Sequence, residues 1–301
     1  MFIYRILFAT LVITLIPKIL LATESSFSSV SQQLQLIAHR AGKDDAPENT
    51  SFAIINEALK NKADAIWITI QLSKDHIPVL YRPQDLSANT NAKGFVSEYS
   101  AAELKKLDAA YYFKPNDGYP YRNKDIGIPS LDDILMSYPE TFFYLDLKSP
   151  DADPISMKNS LLQVLTKNKA FNRVRVYSTN KAFTEILSPE IAAFATRDLT
   201  RQYLVETALN SNHCPTPLKE EYWHGFELYR KVKVVETFTL GEGVSEAVLA
   251  WSPEDIKCFK QKPQHIILFG IKTKEDLELA HKLGVDGAMV DSPKHFSSLA
   301  H

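Results

Sequence analysis

The chain has 301 residues, of which 45% are hydrophobic, so it can bury a large core as one barrel or as two modest domains. A formal net charge of −2 with no long run of one sign argues against a nucleic-acid surface, and an anionic small ligand would have to be held by a local site. Two cysteines, Cys214 and Cys258, would meet oxidising conditions if the chain is exported, but the sequence leaves open whether they pair.

At the start, Tyr4-Arg5 precedes an apolar run from Ile6 to Pro17 and then Lys18-Ile19-Leu20-Leu21-Ala22. A basic segment, a short apolar core and a small residue are the parts of a secretory signal peptide, expected over 1–22. The run is too short for a comfortable membrane span. The expectation is therefore cleavage, an extracytoplasmic protein (periplasmic or secreted) and no stable membrane span. An uncleaved anchor is the alternative. A polar leader follows over 23–33, and the folded domain is expected over 34–301.

From Leu34 onward short apolar runs alternate with helical patterns. Strands are expected at 34–39, 65–71, 78–81, 142–148, 173–179, 192–196, 265–272 and 285–291. Helices are expected at 51–60, 131–137, 155–167 and 274–283, with Ser130 as one cap and a short helix opened by the Ser100-to-Glu103 capping box. Gly284 stands where a helix C-terminus favours a left-handed residue. The segment around 211–252, with its prolines and Gly241-Glu242-Gly243, reads as the remaining barrel unit plus an irregular insertion. So many strand-helix units imply a parallel sheet closed into a (β/α)8 barrel.

Several motifs carry a more specific signal. His39-Arg40, Pro47-Glu48-Asn49-Thr50, Lys74-Asp75-His76-Ile77-Pro78-Val79, Ile128-Pro129-Ser130-Leu131, Asp146-Leu147-Lys148 and Leu283-Gly284-Val285-Asp286-Gly287 occur in this order. Together they resemble the glycerophosphodiester phosphodiesterase family, over most of residues 34–296. The resemblance implies a TIM barrel of the phospholipase-C-like phosphodiesterase type acting on phosphoric diesters. It also implies a divalent cation held by an E-x-D pair and the glutamate of E-x-K, with two histidines as acid and base. Here Trp67 and Thr69 stand at the E-x-D positions, Asp146 replaces the glutamate, and Arg82 stands at the second histidine.

In a parallel barrel the strand C-termini gather the site, so His39-Arg40, Trp67-Thr69 and Asp146-Lys148 should converge, with Glu48 and Asn49 beside them. Alternation turns Trp67, Thr69 and Gln71 to one face of their strand. Ca²⁺ and Mg²⁺ require several hard oxygen ligands, and an indole supplies none. One neutral oxygen from Thr69 and one carboxylate from a vestigial metal ligand, Asp146, imply no cofactor, or weak Ca²⁺ or Mg²⁺ binding only. Arg82 cannot replace a proton-transferring histidine, because guanidinium keeps its proton. It either joins Arg40, Lys148 and His39 in a phosphate cradle or points outward to Asp85. Related barrels, the bacterial phosphatidylinositol-specific phospholipases C, keep two histidines and place an arginine where the metal would be. This chain keeps one recognisable catalytic histidine, His39; His76 reads as a turn residue. Trp67 stacks on a sugar, meets a choline-like cation or plugs the mouth. The expected function is a pseudoenzyme that binds phosphoryl or glycerophosphodiester ligands. An active diester hydrolase with altered or no metal, and a non-catalytic partner-binding barrel, are the alternatives.

Overall fold

A computed structural model describes residues 33–209, 214–261 and 263–297, so the expected signal peptide and most of the leader lie outside the described residues. Among the described residues there are ten strands: β1 (Gln35–His39), β2 (Ala65–Leu72), β3 (Pro78–Leu80), β4 (Phe142–Leu147), β5 (Val174–Ser178), β6 (Tyr222–Glu227), β7 (Tyr229–Phe238), β8 (Gly241–Ala250), β9 (Gln264–Ile271) and β10 (Gly287–Val290). Seven of them run parallel in the order β5-β4-β2-β1-β10-β9-β6, and β3 pairs antiparallel with the end of β2.

The two edges of this curled sheet are joined by the segment 192–195. Its Phe194 N–H donates to Val176 O at 2.8 Å, Val176 N–H donates to Ala192 O at 2.8 Å, and Ala195 N–H donates to Trp223 O at 2.8 Å. These bonds supply the eighth parallel stave and close the barrel, so neither β5 nor β6 is left with a free edge.

Alternation along the strands sorts the core. In β2, Ile66, Ile68 and Ile70 pack under the surrounding helices, whereas Trp67 joins Ile37, Tyr144, Tyr177, Phe194, Ile267 and Met289 inside the barrel. A second layer of helices packs on the opposite side around Phe226, Phe259, Ile266 and Leu283. Capping fixes where the helices begin: Thr50, Ser100, Ser130 and Asp153 each accept a first-turn N–H. Gly284 ends helix Lys274–Leu283 at φ 68°, a conformation that a Cβ would strain.

The insertion expected to be irregular is regular. β7 and β8 form a long antiparallel hairpin, in register from Tyr229↔Ala250 to Phe238↔Gly241. Few of its residues are buried, so its strands lack the alternation that marks a core-facing hairpin, and Gly241 at φ 138° makes the turn. Cys214 and Cys258 form a disulfide with Cα atoms 5.0 Å apart, tying the segment before β6 to helix Pro253–Phe259.

His224 of β6 is fully buried, between Thr200 Oγ1 at 2.9 Å and Gln264 Oε1 at 3.1 Å. Burial pushes its pKa down to about 4, with the Gln264 hydrogen bond opposing. In the unfolded chain an imidazole titrates near pH ~6.5. The folded state therefore refuses a proton that the unfolded state accepts, and stability is lost as pH falls from ~6.5 toward 4. Urea unfolding at pH ~7.5 and ~4.5 should show an acid loss about 2–3 kcal/mol larger for the wild type than for His224→Gln. Equal losses would remove His224 from the acid response.

Candidate functional site

Strand register builds the first part of the site. β1 and β10 are parallel neighbours with Ala38 opposite Val290, so the next residues, His39 and Asp291, emerge side by side. His39 Nδ1 lies 2.6 Å from Asp291 Oδ1. Lys43 Nζ approaches the other oxygen, Asp291 Oδ2, at 3.0 Å, and Asp44 Oδ1 at 2.8 Å. Burial works to raise the Asp291 carboxyl, but the hydrogen bonds and charges of His39 and Lys43 hold it down at about 2. With Nδ1 committed to a carboxylate, Nε2 is the nitrogen His39 offers to the mouth.

The loop after β1 is wound through left-handed backbone at Arg40 (φ 50°), Ala41 (φ 63°), Gly42 (φ 92°) and again at Asn49 (φ 57°). Such conformations cost a non-glycine residue about 1 kcal/mol or more each and persist only when the surroundings enforce them. Each polar residue of the motif has a task here. Arg40 Nη1 donates to Glu48 Oε2 at 2.7 Å, Asn49 Oδ1 accepts from Thr69 N at 2.9 Å, and Thr50 Oγ1 caps the following helix by accepting from Ala53 N at 3.1 Å. The closing strand holds the loop from the other side, because Ser292 Oγ donates to Asp45 Oδ1 at 2.9 Å.

β2 and β4 bring the second part together, with Trp67 opposite Tyr144 and Thr69 opposite Asp146. Trp67 is 2% exposed and has four aromatic neighbours, with ring centroids at 5.7 Å (Tyr144), 5.2 Å (Tyr177), 5.7 Å (Phe194) and 5.3 Å (Phe269). It fills the barrel beneath the mouth, so it offers no open face for a sugar. Asp146 is buried, and Lys148 Nζ stands 3.1 Å from its Oδ1 as an ion pair without the angle of a hydrogen bond. Burial raises the Asp146 carboxyl, while Lys148, Trp67 and His39 act to lower it. Beside Asp146 Oδ1, two more buried polar atoms at the site lack hydrogen-bond partners, Thr69 Oγ1 and Asn49 Nδ2.

His39, Arg40, Glu48, Asn49, Thr69, Asp146 and Lys148 thus all lie around the strand C-termini of β1, β2 and β4. Arg82 is exposed and has no ion pair among the described residues. Asp85 does not hold it: that carboxylate accepts from Ser87 N and Gly94 N. His76 sits exposed in the β2–β3 turn at φ 56°. Sequence reasoning missed Asp291 and Lys43. The signal for Asp291 was its place directly after the closing strand, which in a barrel must pair with the first.

The residues present do not fit a hard divalent cation. At the three positions where the resemblance expects ligands, Trp67 gives no oxygen, Thr69 gives a neutral one, and the one carboxylate, Asp146, already faces an ammonium. Among the described residues no group of three His, Cys, Asp or Glu side chains is arranged to hold a metal.

A closed phosphodiesterase-type barrel with this mouth defines the class, and comparison with known proteins gives the family. Residues 39–295 match the Glycerophosphoryl diester phosphodiesterase family, and the chain belongs to it. The uncharacterized protein Rv2277c of Mycobacterium tuberculosis is 41% identical over 266 residues, covering 86% of this chain and 87% of that one. The crystal structure of its glycerophosphoryl diester phosphodiesterase domain superposes with a TM-score of 0.81 at 37% identity, covering 89% of this chain and all of that one. A phosphodiesterase from Oleispira antarctica, solved in complex with the product sn-glycerol-3-phosphate, shares the fold with a TM-score of 0.62 at 20% identity, over 88% of this chain and 96% of that one.

If Trp67 is a core residue, Trp67→Ala should lower the unfolding free energy by about 3–5 kcal/mol in denaturant titration. A loss under about 1 kcal/mol would mean that the indole is only a surface lid.

Proposed function

We propose that this chain is a glycerophosphodiester phosphodiesterase-family barrel that has lost metal-dependent hydrolysis and holds a phosphoryl or glycerophosphodiester ligand directly at its mouth. One observation carries the reading: the Lys148 ammonium lies 3.1 Å from Asp146, the one carboxylate left among the family's three ligand positions. An internal cation supplies the counter-charge that the buried carboxylate needs. Ca²⁺ or Mg²⁺ then binds weakly or not at all.

For the ligand, Lys148 Nζ, Asn49 Nδ2 and Thr69 Oγ1 supply donors that a phosphoryl oxygen can accept from, the last two without partners in the free protein. Arg40 contributes only by sharing its guanidinium with Glu48. His39, oriented by Asp291, hydrogen-bonds through Nε2. Hydrolysis further requires a group that protonates the leaving alcohol, and Arg82 at the second histidine's place keeps its proton. Lacking a positioned acid or base costs about 10²–10⁴ in rate.

A second reading, an active diester hydrolase with no metal, is favoured by the His39–Asp291 pair at 2.6 Å, the arrangement of an oriented general base. The Cys214–Cys258 disulfide supports an extracytoplasmic location.

Calorimetry with sn-glycerol-3-phosphate in excess chelator tests the main reading. Binding should persist without metal, and Lys148→Ala should weaken it by roughly 10–100-fold, the worth of one charge-assisted hydrogen bond. Absence of binding at millimolar ligand, or binding that appears only with Ca²⁺ or Mg²⁺, would refute it.

A further inference from the structure

We infer that the barrel mouth carries a second anion subsite, formed by Arg197, Arg201 and Arg230, which selects phosphodiesters whose alcohol bears an additional anionic group. The inference rests on the ligand reading above and names the class of ligand.

The three arginines come from two separate elements. Arg197 and Arg201 lie one turn apart near the start of helix Arg197–Leu209, which follows the barrel-closing segment 192–195, and so share a face. Arg230 is the second residue of β7, where the hairpin leaves the C-terminal end of β6. All three line one narrow cleft, together with Glu227, Tyr177 and Phe269.

The charge in this cleft is unlike that around His39. There, Arg40, Lys43 and Lys148 each have a carboxylate within 3.1 Å. Among the described residues none of Arg197, Arg201 and Arg230 has a carboxylate at ion-pair distance. Glu227 is the one acidic residue lining the cleft, against three guanidiniums. Like charges gathered in this way repel, and a bound anion relieves the repulsion. Arginine forks match the planar or tetrahedral oxygens of carboxylate, phosphate and sulfate.

Tyr177 links the cleft to the first site. Its ring lines the cleft and also lies beneath Lys148, whose Nζ is 5.8 Å from the ring centroid. Burial raises the phenol, and the charges of Arg197, Asp146, Glu227 and Arg201 all act on it. A ligand whose phosphodiester sits at Lys148 would carry its alcohol across Tyr177 toward the arginines. Tyr177, Phe269 and Glu227 alone would suit a choline-like cation. Three guanidiniums around them reverse that preference.

The test is calorimetry at ~0.15 M salt, where only close charges count, on the full chain with two probes: glycerophosphoinositol and the same compound with one phosphate on the inositol ring. The wild type should bind the phosphorylated probe at least about tenfold more tightly, and Arg201→Gln and Arg230→Gln should each bring that ratio toward one. Melting temperatures of the variants check that they fold. Equal affinity for the two probes in the wild type overturns the subsite and leaves the proposed function standing. A preference that survives both substitutions also overturns it. If neither probe binds, both proposals fall.

Discussion

The packing of Trp67 inside the barrel governs the rest of the site. A residue at this point of β2 must face inward, because the strand alternates and its neighbours Ile66 and Ile68 are committed to the helix layer. Having an indole there among Tyr144, Tyr177, Phe194 and Phe269 gives the barrel a dry aromatic centre just below its mouth. An acidic side chain in the same place would have needed a cation or several donors to be tolerated. With the indole present, Asp146 is the one buried carboxylate at this level, and Lys148 offsets part of the cost of its burial.

The same economy of charge runs around the His39 side of the mouth. His39 pairs with Asp291, Arg40 with Glu48, and Lys148 with Asp146, so each half-buried charge meets its opposite within the chain. Pairing of this kind orients side chains more than it stabilises the fold, since the Coulomb gain is largely offset by lost hydration. The cost of left-handed backbone at Arg40, Ala41 and Asn49 is borne in the same place, where the loop is held by β10 on one side and by Thr69 on the other. Rigidity and a fixed array of donors are the outcome, and both suit recognition of a compact anion.

Much of the fold was legible because it is local. Alternation along β2, the Ser100 and Ser130 caps and the left-handed Gly284 follow from short stretches of sequence, and the segment 192–195 was recognisable as a strand before its bridging bonds placed it in the barrel. What depends on distant pairing was not legible. His39 and Asp291 are 252 positions apart and meet only because the barrel closes β10 onto β1. The three arginines of the second cleft are scattered over a helix and a hairpin and form no motif. The hairpin 229–250 was read as part of an irregular insertion because prolines precede it and Gly241-Glu242-Gly243 interrupts it, and solvent, not a core, lies on most of it. Arg82 shows the limit of motif matching: the motif's spacing puts it at the place expected for a second histidine, but its side chain is exposed.

The decisive property of this mouth is whether its chemistry depends on a metal. Phosphorus NMR of a glycerophosphodiester incubated with the protein, once with Ca²⁺ and Mg²⁺ and once with chelator, tests it most directly. The expected result is the same spectrum in both samples, with no phosphomonoester signal growing above the protein-free control. Rapid appearance of glycerol phosphate that stops on chelation would contradict it, and would mean that residues other than Trp67 and Thr69 supply the missing ligands.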